Sequence, residues 1–129
     1  MEGWISLYRK IQEHWLWTKK RKFSQFEAWI SLLFKAGHKD RKIMFGEKIV
    51  DVKRGSFVTS EVKLSEEWKW DRSTVRKFLK TLESEKMIQK TTTTKYTVIT
   101  IENWDFYQIV QQQNRQQNNN KTTTRQHKQ

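Results

Sequence analysis

Residues 59–88, TSEVKLSEEWKWDRSTVRKFLKTLESEKMI, carry the pattern that decides the fold. Apolar side chains recur on one side of two successive runs, which meet at the tight segment WKWD. Ser60 or Thr59 is a suitable N-cap for the first run, and Asp71 is a suitable N-cap for the second. The stretch therefore predicts two helices joined by a short turn, the second extending from residue 71 to residue 88. The apolar residues of the two inner faces are Val62, Leu64 and Trp68, and then Val75, Phe78, Leu79 and Leu82.

The outer face of the second helix is basic. Because the apolar stripe fixes the inner side, positions 73, 76, 77, 80 and 84 face outward. No acidic residue occurs from Arg72 to Leu82. A helix of this kind fits the major groove of duplex DNA, where its N-terminal residues reach base edges and arginine pairs bidentately with guanine. An ordinary solvated face is the alternative interpretation of such a stripe.

The segments around these two helices complete the predicted fold. Upstream, Ser24 and Glu27 form a capping box for a helix that ends at Gly37 and has apolar side chains at positions 26, 29, 30, 33 and 34. Residues 41–45 and 48–53 are typical of two strands around a turn, and residues 56–59 of a third strand. The threonine-rich residues 89–101 predict a hairpin with its tip at residues 93–95. This order of elements is that of an α+β winged helix-turn-helix with a β-hairpin wing.

We predict DNA contacts from the second helix of the pair and from the wing. The predicted DNA-binding residues are Arg72, Ser73, Thr74, Arg76, Lys77, Lys80, Lys90 and Lys95. Two other basic clusters, residues 19–22 and residues 39–42, are interpreted either as phosphate contacts or as solvated segments. Trp68 and Trp70 flank the turn, where packing of the two helices is favoured over stacking on bases.

Composition and charge divide the chain into two parts. The whole sequence has 129 residues and a formal net charge of +12. Residues 111–129 contribute +4 of this charge and contain 7 Gln, 4 Asn and no aliphatic or aromatic side chain. Such a segment buries too little apolar surface to offset its ordering entropy. We therefore predict a winged helix-turn-helix domain over residues 1–107 and a basic, disordered tail over residues 108–129, which acts as a linker or as an arm on the phosphate backbone.

Several classes of function are disfavoured by what the sequence lacks. There is no cysteine, and His14, His38 and His127 have no metal-ligand spacing, so no metal site is expected. No apolar run is long enough for a membrane span, and no secretory signal opens the chain, so the expected location is the cytoplasm. Neither a phosphate-binding glycine-rich motif nor a paired set of catalytic carboxylates is present. We expect a protein that is not an enzyme and that needs no cofactor.

The two motifs GWISLYRKIQEHWLW and GSFVTSEVKLSEEWKWDRSTVRKFLKTLESEKMI resemble the N-terminal winged-helix domain of phage and prophage replication proteins. These are the replisome-organiser and DnaD-type primosome proteins of low-GC Gram-positive bacteria and their phages. The resemblance covers residues 3–107, and ENWDFYQ at residues 102–108 is also similar to the end of the domain in that group.

The resemblance implies binding to origin or single-stranded DNA, self-association, and recruitment of the replicative helicase or its loader in the bacterial host. It assigns recognition-helix roles to the six predicted positions between Arg72 and Lys80. Members of the group usually continue into a second helical domain, whereas this sequence ends in its linker-like tail. The hypotheses are a DNA-binding module for replication initiation or transcriptional control, an oligomerisation or docking module of a primosome, and a small phage inhibitor that copies the fold.

Overall fold

A computed structural model describes residue 3 and residues 5–107, so the tail predicted for residues 108–129 lies outside the described residues. The described chain is mixed α+β, as predicted. A 3-10 helix at Arg9–Glu13 opens it, and a helical turn at residues 104–107 closes it. The elements between them are α1 (Trp15–Thr18), α2 (Gln25–Lys35), β1 (Arg41–Phe45), β2 (Lys48–Val52), β3 (Ser56–Thr59), α3 (Glu61–Trp68), α4 (Arg72–Ser84), β4 (Ile88–Thr92) and β5 (Thr97–Ile101).

The strands form two antiparallel sheets. β1 and β2 make a separate hairpin, while β3, β5 and β4 form a three-stranded sheet with β5 in the centre. Ser56 lies opposite Thr100 on β5, and their hydroxyl oxygens are 2.7 Å apart. The strands predicted at residues 41–45, 48–53 and 56–59 are confirmed to within one residue.

The core lies where α2, α3 and α4 pack with the three-stranded sheet. Trp68 is fully buried, and its ring lies 4.9 Å from that of Trp70 and 5.8 Å from that of Phe78, both edge to face. The Trp68 indole N–H donates to the Ser31 hydroxyl at 3.1 Å, and the Trp70 indole N–H donates to the Phe23 carbonyl at 2.8 Å. The interpretation of both tryptophans as core residues is confirmed.

The capping box of α2 is present as predicted. The Ser24 hydroxyl accepts a hydrogen bond from the backbone N–H of Glu27 at 3.2 Å, and the Glu27 carboxylate accepts one from the backbone N–H of Ser24 at 2.9 Å. The latter bond is the main cause that lowers the pKa of Glu27. The two contacts fix the residue at which the helix begins.

We expect Ser24→Ala to lower the free energy of unfolding by about 1 kcal/mol, because it removes the oxygen that caps α2. Urea denaturation measures the loss. Ser24→Asn keeps a capping oxygen and should stay close to the wild type. Equal losses in both variants would contradict the assignment of the cap.

The sequence prediction is wrong about the end of α4 and about Val62. α4 ends at Ser84 and does not continue to residue 88, because Lys86 has φ +60° and Ile88 pairs with Ile101 in the sheet. Val62 is exposed on α3. The predicted end of α2 agrees with the structure, since the helix ends at Lys35, its C-cap is Ala36, and Gly37 directly follows the cap.

The inner face of α2 also differs from the prediction, because none of the five predicted apolar positions is fully buried and positions 29, 30, 33 and 34 are half-buried. Phe26 is 70% exposed, and the buried positions of the helix are Ala28, Ser31 and Leu32. Ser31 faces inward because its hydroxyl accepts from Trp68 and donates to Glu67 at 2.9 Å. Within the described residues, no helix is long and apolar enough to cross a membrane.

Candidate nucleic-acid interface

The turn between α3 and α4 sets the direction of α4. Lys69 ends α3 with φ +58°, a left-handed conformation that is uncommon for a residue with a side chain. The backbone N–H of Trp70 donates to the Ser65 carbonyl at 3.0 Å, and that of Phe23 donates to the Trp68 carbonyl at 3.0 Å. The turn is therefore tied both to its own helix and to the segment before α2.

Helix α4 presents its predicted contact residues to solvent. Val75 and Leu79 are buried, Leu82 lies beside them, and Phe78 is half-buried. The opposite side is open, as the sequence pattern predicts. Asp71 occupies the N-cap position, although its side chain accepts no capping hydrogen bond, so that part of its predicted role is wrong. The exposed residues on α4 are Arg72, Ser73, Thr74, Arg76, Lys77 and Lys80.

Glu61 is a functional candidate that the sequence analysis missed. Its carboxylate accepts hydrogen bonds from Nη2 of Arg76 at 2.7 Å and from Nε of Arg76 at 3.0 Å. The guanidinium of Arg72 lies 3.8 Å from the same carboxylate. The hydrogen bonds from Arg76 are the main cause that lowers the pKa of Glu61, and Glu61 in turn raises the pKa of Arg76. The sequence did not predict this contact, because no acidic residue occurs from Arg72 to Leu82 and Glu61 lies on the preceding helix.

Lys77 and Lys80 differ from the two arginines. Both lie on the outer side of α4, and neither makes an ion pair with another described residue. Unlike the guanidinium groups of Arg72 and Arg76, their ammonium groups are not engaged by a carboxylate among the described residues.

The predicted wing is the β4–β5 hairpin. Its tip contains no glycine, and Thr93 shapes it instead: the Thr93 hydroxyl oxygen accepts from the backbone N–H groups of Lys95 at 3.2 Å and Tyr96 at 3.0 Å. Lys95 is exposed at this tip. Lys90 is mostly covered and lies 3.8 Å from Glu83 of α4, so the base of the wing is linked to the helix.

The β1–β2 hairpin supports the wing from its other side. The ring of Phe45 lies 5.1 Å from that of Tyr96, and the ammonium of Lys63 on α3 lies 5.4 Å from the Phe45 ring centre. The tips of the two hairpins and the first turns of α3 therefore meet. Nothing in the local sequence pattern predicts this contact, because 51 positions separate the two rings.

The weaker basic clusters each contain one arginine with a structural role. Arg21 pairs with Glu27 at 2.6 Å, donates to the Trp17 carbonyl, and lies 4.6 Å from the Phe23 ring centre. Arg41 donates to the Ser56 carbonyl at 2.9 Å. These two guanidinium groups serve the fold, whereas the lysines beside them are exposed. The exposed lysines are Lys19, Lys20, Lys22, Lys39 and Lys42.

In the described part of the chain, no cluster of three or more histidine or acidic residues has the geometry to hold a metal ion.

Comparison with known proteins identifies one family. The family model described as the N-terminal phage replisome organiser matches residues 21–129. Neither the comparison with curated proteins nor that with solved structures found a match. The matched region begins after the first of the two motifs that carry the resemblance and contains the whole of the second.

Proposed function

The chain belongs to the N-terminal phage replisome organiser family, and from this membership we propose that it is a DNA-binding module for the initiation of phage or prophage DNA replication. A role in phage replication follows from the family. The finer proposal is that α4 is a recognition helix, that the β4–β5 hairpin is a wing, and that the chain acts in the cytoplasm of the bacterial host without catalysis.

The order of elements supports a winged helix-turn-helix. Apart from the β1–β2 hairpin, the elements from α2 to β5 are one helix (α2), a short strand (β3), a pair of helices (α3 and α4) and a hairpin (β4 and β5). The strand order in their sheet is β3-β5-β4. In such a unit the second helix of the pair enters the major groove. The β1–β2 hairpin is then an insertion between the first helix and the first strand of the unit.

The observation that carries the proposal is the exposed basic side of α4, with the wing anchored beside it. Arg72, Ser73 and Thr74 form the first turn, the part of a recognition helix that reaches base edges. Lys77 and Lys80 lie further along the same helix and are available for phosphates. Lys95 at the wing tip adds a third position for a backbone contact.

Salt dependence tests whether phosphate contacts dominate. If about five side chains neutralise phosphates, the logarithm of the binding constant should fall with the logarithm of the salt concentration with a slope of roughly −4. Fluorescence anisotropy with a labelled duplex measures this slope, and a single strand of the same length is the comparison. A slope near zero would contradict the proposal.

A selection from a random duplex library adds information on specificity. An enriched palindromic motif would indicate a dimeric origin binder or a transcriptional regulator. Lack of enrichment with a steep salt slope would indicate binding to the DNA backbone alone.

The β1–β2 hairpin favours a second candidate function, an oligomerisation or docking module of a primosome. Met44 and Ile49 are opposite each other across this hairpin, and they are 65% and 68% exposed. Exposed apolar side chains on a hairpin with two unpaired edges are suited to contact with a second copy or with a helicase or helicase loader. Sedimentation of Met44→Lys/Ile49→Lys against the wild type tests this function, and an unchanged oligomeric state with unchanged partner binding would exclude it.

A further inference from the structure

We propose that Glu61 is an internal competitor for DNA phosphate, which occupies the guanidinium groups of Arg72 and Arg76 until a nucleic-acid phosphate replaces its carboxylate. This inference rests on the proposed DNA-binding function and adds a residue that sets affinity and selectivity at the same surface.

The position of Glu61 in the fold makes this contact possible. Glu61 is the first residue of α3, directly after the N-cap Ser60, whose hydroxyl accepts from the backbone N–H of Lys63 at 3.1 Å. The tight turn at Lys69 folds α4 back against α3, so that a side chain at the start of α3 reaches the first two turns of α4. The Glu61 carboxylate thus reaches α4 from α3, a helix that contains none of the predicted DNA-binding residues.

The geometry of the pair is the one that a phosphate would adopt. Arg76 uses Nε and Nη2 together, which is the planar fork with which arginine also grips phosphate oxygens. Arg72 approaches the same carboxylate oxygen, Oε1, from one turn earlier. Lys90 on β4 also helps to lower the pKa of Glu61 through its charge. The carboxylate therefore lies beside two of the cations predicted to bind DNA, Arg72 and Arg76, and is also influenced by the charge of Lys90.

The contact is exchangeable. The side chains of Arg76 and Arg72 are 54% and 60% exposed, so solvent screens their attraction to Glu61. A single weak anion gains little by replacing the carboxylate. A duplex that also reaches Lys77, Lys80 and Lys95 gains several contacts at once and can displace it. Glu61 thus raises the threshold for binding and disfavours isolated or poorly placed anions.

The test compares Glu61→Gln with Glu66→Gln. Glu66 lies on the same helix, is exposed, and makes no ion pair with another described residue. Both variants replace one glutamate by glutamine, so they change the net charge equally. The probe is a fluorescently labelled duplex of roughly 20 base pairs, two turns of DNA, titrated at about 50 mM and about 200 mM salt. We expect Glu61→Gln to bind about fivefold more tightly at the lower salt concentration, with a salt slope steeper by about one, and Glu66→Gln to stay within about twofold of the wild type.

Coupling to Arg76 provides the second readout. In the Arg76→Gln background, Glu61→Gln should no longer improve binding by the same factor, since the guanidinium that it releases is gone. Circular dichroism of each variant checks that the fold is retained.

The outcomes separate this inference from the proposed function. Suppose that the wild type binds the duplex and that Glu61→Gln has the same affinity, or an affinity changed only as much as in Glu66→Gln. That result would overturn the role of Glu61 and leave the proposed DNA-binding function in place. Weaker binding by Glu61→Gln would also overturn that role, because the carboxylate would then orient Arg76 for the contact. If neither the wild type nor Glu61→Gln binds duplex or single-stranded DNA, the result contradicts the proposed function. The inference about Glu61 is then contradicted as well, because it rests on that function.

Discussion

Reversal of two charges on α4, Lys77→Glu with Lys80→Glu, is expected to weaken duplex binding by about a hundredfold at low salt. Under the proposed function, each substitution would remove one proposed phosphate contact, with its counterion release, and add repulsion between a carboxylate and the DNA backbone. Both lysines are exposed and make no ion pair with another described residue, so the fold should be unaffected. Fluorescence anisotropy measures the loss in affinity.

Lys77 and Lys80 are better targets than Arg76. A glutamate at position 76 would face Glu61, so a change in binding would mix the loss of a DNA contact with a new repulsion inside the protein. Any self-association of the wild type, measured by sedimentation, should persist in Lys77→Glu/Lys80→Glu. Loss of duplex binding with self-association intact supports the DNA-binding function over the docking function.

A matched control for this double variant is Lys10→Glu with Lys53→Glu. Both lysines are exposed, and the net charge changes by the same amount. Lys10 lies in the 3-10 helix. Lys53 precedes the first residue of β3, whereas α3 follows the last residue of β3. We expect a loss below about threefold for this control, from the general field alone. Equal losses in the two double variants would exclude α4 as the specific contact.

Trp68→Ala is expected to have the largest effect on stability, a loss of about 3–5 kcal/mol in the free energy of unfolding. The side chain is fully buried, and its removal leaves a cavity between α2, α3 and α4. It also removes one edge-to-face partner from Trp70 and from Phe78, and it leaves the inward-facing Ser31 hydroxyl without its donor. Since small domains are stable by only about 5–15 kcal/mol, this loss is a large share of the total free energy of unfolding.

Urea denaturation with circular dichroism measures this effect. Phe26→Ala is the control, because the Phe26 ring is 70% exposed and its removal should cost below about 0.5 kcal/mol. Trp68→Phe should lie between the two, as it keeps part of the volume and loses the N–H donor. A loss below about 1 kcal/mol for Trp68→Ala would contradict the central position given to this residue in the core.

The parts of the fold that depend on neighbours in sequence were predictable. The capping box at Ser24 and Glu27 involves residues three positions apart, and the buried stripe of α4 repeats at the period of the helix. The exposed side of α4 follows directly from that stripe. The same local logic found the tip of the wing, although not the hydroxyl of Thr93 that replaces glycine there.

The parts that depend on tertiary contacts were not predictable from periodicity. The end of α4 is decided by the pairing of Ile88 with Ile101, which draws that residue into the sheet despite its helical spacing. The partner of Arg76 lies 15 residues away across the turn, so a count of charges along α4 alone overlooked Glu61. The contact of Phe45 with Tyr96 likewise exists only because two hairpins meet in the folded chain.

The topology of the three-stranded sheet leads us to expect a particular order of folding. α3 with α4, and β4 with β5, make contacts between segments that are close in sequence, whereas Ser56 and Thr100 are 44 positions apart. Closing the longer loop costs more entropy, so we expect β3 to dock after the helix pair and the β4–β5 hairpin have formed. Until then, one edge of β5 has no hydrogen-bonding partner. The open edge of β5 is therefore most able to pair with a strand of another chain in the interval before β3 docks.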